Sequence, residues 1–196
     1  MSSTNRGYDR HKSDYYVTPV DKIEEFLHEF IKHEPSAFDE RIIDPCAGGD
    51  ETHPMSYPTA LFNAFGISGM NGKVTTIDIR EDSLAHIKKS FLETKFKILP
   101  RTIITNPPFN LADEIIKKSL DDVEEYGFVV MLLRLNFFGG KKRKEKFWDK
   151  IGLPKYTFVH HRRMSFTEDN KTDSIEYAHF VWQKGYKPEF TQLVVI

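Results

Sequence analysis

The sequence predicts an α/β fold, a mostly parallel central sheet flanked by helices, and three observations carry that expectation. Strand-like apolar runs alternate with segments of helical periodicity across most of the 196 residues. Phe128-Val129-Val130-Met131-Leu132-Leu133 is continuously apolar, the pattern of a strand covered on both faces in a parallel sheet. Two other strand candidates, ending near Asp44 and Thr105, run straight into Gly-rich or Pro-rich turns. In open α/β sheets the carboxyl ends of strands are where ligands bind.

Composition bounds the function. The length suits one domain, expected over residues 15–196 behind a polar, flexible arm at 1–14, without a large separate substrate-recognition domain. Lys and Arg number 28 against 29 Asp and Glu, a net charge of −1, so any attraction to nucleic acid must come from a local basic surface. The single cysteine, Cys46, excludes an internal disulfide and suits a reducing compartment. No apolar run reaches the roughly 18 residues of a membrane span, and the first residues lack a signal peptide's apolar core. A cytoplasmic protein is expected.

In chain order, Tyr16-Val17-Thr18-Pro19 precedes apolar residues at helical spacing, Val20, Ile23, Phe26, Leu27, Phe30 and Ile31, and Pro19 stands where a helix begins. Arg41 to Asp44 reads as a short strand running into Pro45-Cys46-Ala47-Gly48-Gly49-Asp50. Its glycines allow positive φ and close approach of backbone to a ligand, and Asp44 offers an acceptor to a cationic amino-acid moiety. The turn lacks both phosphate-binding patterns, so it suits a nucleoside cofactor held by backbone groups. A helix is expected over Thr59 to Phe65, then a strand from Lys73 to Ile79 carrying Asp78. Asp78 stands where α/β cofactor folds place an acceptor for ribose hydroxyls. A helix is predicted from Ser83 to Leu92 with Asp82 as its cap, and a weak strand from Lys95 to Leu99.

The strand Thr102 to Thr105 leads to Asn106-Pro107-Pro108-Phe109, and a helix follows from Leu111 to Leu120. That turn suits methylation of an exocyclic amine. The amine lone pair of adenine is delocalised into the ring, and two acceptors, the Asn106 side-chain oxygen and the Pro107 carbonyl, would localise it by taking one hydrogen bond each. The prolines set φ and remove backbone donors, which holds the carbonyls in place. Phe109 offers a face for base stacking, worth roughly 1–3 kcal/mol.

Beyond Asn136 to Gly140 comes the basic run Lys141-Lys142-Arg143-Lys144, with Arg162-Arg163 further on. Placed at the same sheet edge as Asn106, these residues are candidates for phosphate contact. Tyr156 to His160 and Tyr177 to Trp182 read as strands joined by Met164 to Ile175, a segment too charged for core. The cysteine and histidines lack zinc-ligand spacing. No Gly-x-Ser-x-Gly or Cys-centred nucleophile pattern appears.

With these segments in place, the chain resembles the S-adenosylmethionine-dependent amino-methyltransferases, most closely the small DNA adenine N-6 methyltransferases of phages and prophages. The resemblance implies a Rossmann-like class I methyltransferase fold with an antiparallel C-terminal strand, S-adenosyl-L-methionine as cofactor, DNA as partner and, for a phage protein, residence in the host cytoplasm. It implies catalysis by Asn106, Pro107, Pro108 and Phe109. Cofactor binding would fall to Tyr16, Thr18, Pro19, Asp44, Pro45, Cys46, Ala47, Gly48, Asp78 and Asn106. No metal is implied. Ser165-Phe166-Thr167 through Tyr177-Ala178 looks like the phage group's shared C-terminal stretch. Two positions depart from the pattern: Asp50 replaces the loop's usual second glycine, and Leu99-Pro100 stands where an acid near the cofactor adenine is common. Methylation of RNA bases or protein glutamine, and an inactive binding module, are the alternatives.

Overall fold

The computed structural model describes residues 17–166 and 174–196. Helix α1 (Val20–His33) begins directly after Pro19, whose φ of −58° already suits a helix. It buries Ile23, Phe26, Leu27 and Phe30 completely. Strand β1 (Ile42–Asp44) leads through the glycine turn to α2 (Ser56–Phe65), which stops at Gly66 in the left-handed conformation. Then come β2 (Val74–Asp78), β3 (Ile87–Lys88), β4 (Thr102–Thr105), α3 (Ala112–Asp122) and β5 (Phe128–Arg134). Helix α4 (Lys141–Arg143) continues through a π-helical stretch, Lys144–Trp148, into α5 (Asp149–Ile151). Strands β6 (Tyr156–Val159), β7 (Tyr177–Gln183) and β8 (Gln192–Val195) complete the described chain.

The strands form one eight-stranded sheet in the order β3-β2-β1-β4-β5-β7-β6-β8. Only β7 runs against its neighbours β5 and β6; every other pairing is parallel. Alternate residues of β5 serve opposite cores. Phe128 and Val130 join Phe26, Phe30, Leu61 and Phe158 under α1 and α2. Val129 and Met131 join Ile116, Phe147, Trp148 and Phe180 under α3 and the 141–151 helical stretch. The apolar run is continuous because both faces need it. From β1 the chain builds outward through β2 and β3, then returns to add β4 and β5 on the other side. The order therefore reverses between β1 and β4, and a crevice opens at their carboxyl ends.

Three sequence expectations are corrected. No helix forms from Ser83 to Leu92; the segment holds β3 and a short 3-10 turn, Phe91–Glu93. Its amides are taken by distant partners: Leu84 N–H donates to Gly48 O, His86 N–H to Thr76 Oγ1, and Lys89 N–H to Asp78 O. Those bonds displace the local ladder that helical periodicity favours. The strand at Lys95 to Leu99 is absent, and Ile98 and Leu99 are exposed. The Met164 to Ile175 segment is core at its start, since Met164 is buried against Leu132 and Tyr177; residues 167–173 lie outside the described chain. Strand β8 was not anticipated, although Leu193-Val194-Val195 is a β-rich run.

Gly127 precedes β5 at a point of close backbone approach. A Cβ there would lie 2.7 Å from Arg101 O, 2.6 Å from Val123 Cγ2 and 2.9 Å from Glu124 O. Gly127→Ala is expected to destabilise the fold by about 1–3 kcal/mol, read as a lower urea midpoint with an unchanged slope.

Candidate active site

A cleft opens at the strand-order reversal. It is lined by Thr18 before α1, by Pro45, Cys46 and Ala47 after β1, by Ser56 and Tyr57 of α2, and by Asp78, Ile79 and Arg80 at the end of β2. Ser90, Phe91 and Leu92 close one side, and Asn106 to Phe109 with Leu111 and Ile115 close the other.

The glycine turn is held from behind. Gly48 and Gly49 have φ of 62° and 76°, and a Cβ on Gly49 would meet Met55 Cγ at 2.8 Å. Asp78 Oδ2 accepts the Gly48 N–H at 2.8 Å, and Asp78 Oδ1 accepts the Arg80 N–H at 2.8 Å. The buried Arg80 guanidinium donates to Gly49 O at 2.7 Å. Asp78 thus shapes the turn and still lines the cleft, and each carboxylate oxygen keeps a further lone pair for a hydroxyl donor. Asp50 is turned away: Oδ1 accepts from Thr52 N–H, Thr52 Oγ1 and His53 N–H, all at 2.8 Å. The Thr52 bonds hold its carboxyl well below the ordinary range. The residue that replaces a glycine is a cap for its own turn. Leu99 does not line the cleft; Ile79, Phe91 and Leu92 supply the apolar wall.

Asn106 Nδ2 donates to Thr18 Oγ1 at 3.0 Å, a bond between positions 88 apart. The amide is thereby oriented with its oxygen available to a donor. The Pro107 carbonyl takes no hydrogen bond among the described residues, whereas the Pro108 carbonyl accepts the Leu111 N–H that starts the next helix. The guanidinium of Arg134 sits over the Phe109 ring, 4.6 Å from its centroid, and the tilted ring of Tyr177 lies 6.2 Å from it. Cys46 lines the cleft, but burial, with Asp44 and Asp78 close by, pushes its thiol well up. It is held as the thiol, not the nucleophilic thiolate.

The other expected residues are placed as follows. Asp44 is 1% exposed, accepts the Cys46 N–H at 3.2 Å, and lies behind the cleft wall; Pro19 and Gly48 also stand outside the lining set. Tyr16 lies outside the described residues. Of the basic residues all but Arg143 are exposed, and Lys141, Lys142 and Arg162 face no carboxylate among the described residues. Arg143 folds inward onto Phe137, donating to Phe137 O and Gly139 O and facing Asp113 at 3.4 Å. Lys144 pairs with Asp149, and Arg163 faces Glu176 at 3.5 Å. Arg162 and Arg163 follow β6, whose carboxyl end shares the edge of β4 and β5.

Sequence reasoning missed Tyr57 and what lies behind it. Its hydroxyl meets His179 Nε2 at 3.0 Å, and His179 Nδ1 meets His160 Nε2 at 2.9 Å. The three come from α2, β7 and the end of β6, and no spacing in the chain signals them. Burial lowers both histidines, His160 to about 3, so both are neutral. Burial raises the Asp44 carboxyl to about 7.

These shifts have opposite signs. His160 is depressed, so its contribution to stability is full above the unfolded value near 6.5 and is lost as pH falls toward 3. Asp44 is raised, so its contribution is full below 3.8 and is lost as pH rises toward 7. Melting measured between pH 7.5 and 5 is expected to show a smaller acid loss in His160→Gln than in the unaltered protein. Asp44→Asn is expected to show a larger one, because the opposing contribution is gone.

No protein-family profile matches the sequence, and no curated protein does. Solved structures do match. A Listeria monocytogenes protein assigned to the class I S-adenosylmethionine-dependent methyltransferases aligns with a TM-score of 0.64 at 13% identity, over 92% of this chain and 65% of its own. A Pyrococcus horikoshii protein assigned as an RNA methyltransferase aligns at 0.62 and 15% identity, over 88% and 87%. The M protein of the type I restriction enzyme EcoKI aligns at 0.59 and 12% identity, over 87% of this chain and 44% of its own. The chain therefore spans less than two thirds of the Listeria and EcoKI proteins. At such identities the likeness concerns architecture, and the architecture is plain: the chain has the Rossmann-like fold of the class I methyltransferases.

Proposed function

We propose that the protein transfers a methyl group from S-adenosyl-L-methionine to the exocyclic N-6 amine of adenine in DNA. The observation that carries this reading is the hydrogen bond from Asn106 to Thr18, which leaves the Asn106 side-chain oxygen and the Pro107 carbonyl as two acceptors unused among the described residues at the edge of the cleft. Two acceptors and no strong base are what an aromatic amine needs. Each takes one N–H, the lone pair turns out of the ring plane, and the bonds strengthen as positive charge builds on nitrogen. The amine loses its proton to water after transfer, so no general base is needed beforehand. The high Cys46 thiol argues against a covalent route.

The cofactor supplies an electrophilic methyl on a sulfonium, which leaves as a neutral thioether. The residues present fit it. Asp78 faces the cleft with lone pairs for ribose hydroxyls, Ile79 and Phe91 offer apolar surface to an adenine ring, and the glycine turn lets the backbone come close. The target base must leave the stack to reach Asn106, at a cost of a few kcal/mol. Exposed Lys141, Lys142 and Arg162 at the same edge suit the phosphates that flank it. The M protein of EcoKI, from a DNA restriction system, supports DNA; the Pyrococcus neighbour keeps RNA as the second reading.

Incubation with cofactor and unmethylated DNA, followed by digestion and mass spectrometry for methyldeoxyadenosine, tests the reading, with RNA in parallel. Asn106→Ala is expected to lower transfer by on the order of 100-fold or more while cofactor affinity measured by calorimetry stays within about threefold. Loss of both together would refute the assignment. Asp78→Asn leaves one side-chain acceptor for the two amides of Gly48 and Arg80 and removes the charge, and is expected to weaken cofactor binding roughly 10- to 100-fold, the range for a hydrogen bond to a charged group.

A further inference from the structure

Arg134 is the last residue of β5, at the carboxyl edge that carries Asn106 to Phe109. Its guanidinium carbon sits 4.6 Å from the centre of the Phe109 ring. Arg101, Arg143 and Arg163 each face a carboxylate. Arg134 has none among the described residues, and its Nε is buried without a hydrogen bond. The side chain does not line the cofactor cleft, whereas Phe109 does. A ring of the cleft lining therefore carries on its face an arginine that has no carboxylate partner among the described residues.

We infer that Arg134 is the substrate-positioning residue of this site, lying on the Phe109 face that a target base takes and moving, when the base arrives, onto a phosphate of the same nucleotide. This deepens the nucleic-acid reading above and rests on it. A guanidinium is flat and weakly hydrated and stacks on aromatic rings, so it covers the face while the site is empty. Its fork of donors suits a phosphate bidentately. Displacement by the base gives the buried Nε the acceptor it lacks. The backbone of Arg134 is held in the sheet opposite Tyr177, so the change is confined to the side chain. With a net charge of −1 over the whole chain, a cation beside the base contributes much of the local field that draws in the strand.

The experiment compares the unaltered protein with Arg134→Ala and Arg134→Lys on unmethylated DNA at several salt concentrations, and on RNA if that is the better substrate. Cofactor affinity and melting are measured alongside. Arg134→Ala is expected to raise KM for nucleic acid at least tenfold, change kcat less than threefold, and reduce the slope of log affinity against log salt by about one. Cofactor affinity should not move. Arg134→Lys keeps the charge and loses the fork, so the salt slope should hold while KM rises by an intermediate amount. An unchanged KM and slope in Arg134→Ala, with the unaltered protein active, overturns this inference alone. Lost cofactor binding with a lowered melting point makes the residue structural and also overturns it. An unaltered protein that binds cofactor but methylates neither DNA nor RNA removes the functional reading, and this inference with it.

Discussion

The hydrogen bond from Asn106 to Thr18 joins the segment before α1 to the loop after β4, and the chemistry available to the cleft follows from it. An asparagine amide presents a donor at one end and an acceptor at the other, and a free amide at a cleft edge would offer either. Thr18 is 3% exposed and takes the donor. What remains at the cleft edge is the oxygen, an acceptor. The arrangement depends on α1 being anchored, which Ile23, Phe26, Leu27 and Phe30 achieve by complete burial against β5 and β6 residues such as Phe128 and Phe158. Core packing on one face of the sheet thus sets the polarity of a side chain at its edge.

The glycine turn shows the same dependence in another form. A loop with two residues at positive φ gains nothing from local backbone preference that would hold a single shape. Here the shape comes from Asp78 and Arg80, which bind the Gly48 amide and the Gly49 carbonyl from the neighbouring strand end. Asp50 adds an independent brace on the far side by capping its own turn. The result is a turn braced by several hydrogen bonds, with Asp78 held in one orientation at the cleft.

The buried histidines carry a different cost. His160 and His179 are kept neutral by burial, and the chain they form with Tyr57 ties α2 to β6 and β7 beneath the cleft. Asp44 is buried nearby with one oxygen that takes no hydrogen bond among the described residues. Polar groups that burial disfavours are therefore concentrated next to the cleft, as is common where function constrains the core.

Much of the fold was legible in the chain alone. Period and length placed α1, α2, α3 and the long β5, because an amphipathic helix and a doubly covered strand leave signatures in local order. Asn106 to Phe109 and the turn after Asp44 were legible because proline and glycine restrict or free the backbone wherever they stand. Other features belong to tertiary structure. The segment from Ser83 to Leu92 has helical periodicity, yet Gly48, Thr76 and Asp78 take its amides, and those partners are 10 to 36 residues away in sequence. Local pattern carries no record of such competition. Arg143 reads as one of four equal cations, and only folding turns it onto Phe137. The relay from Tyr57 to His160 and the stacking of Arg134 on Phe109 were likewise decided by the sheet, which sets residues from separate strands side by side at distances that no one-dimensional spacing encodes.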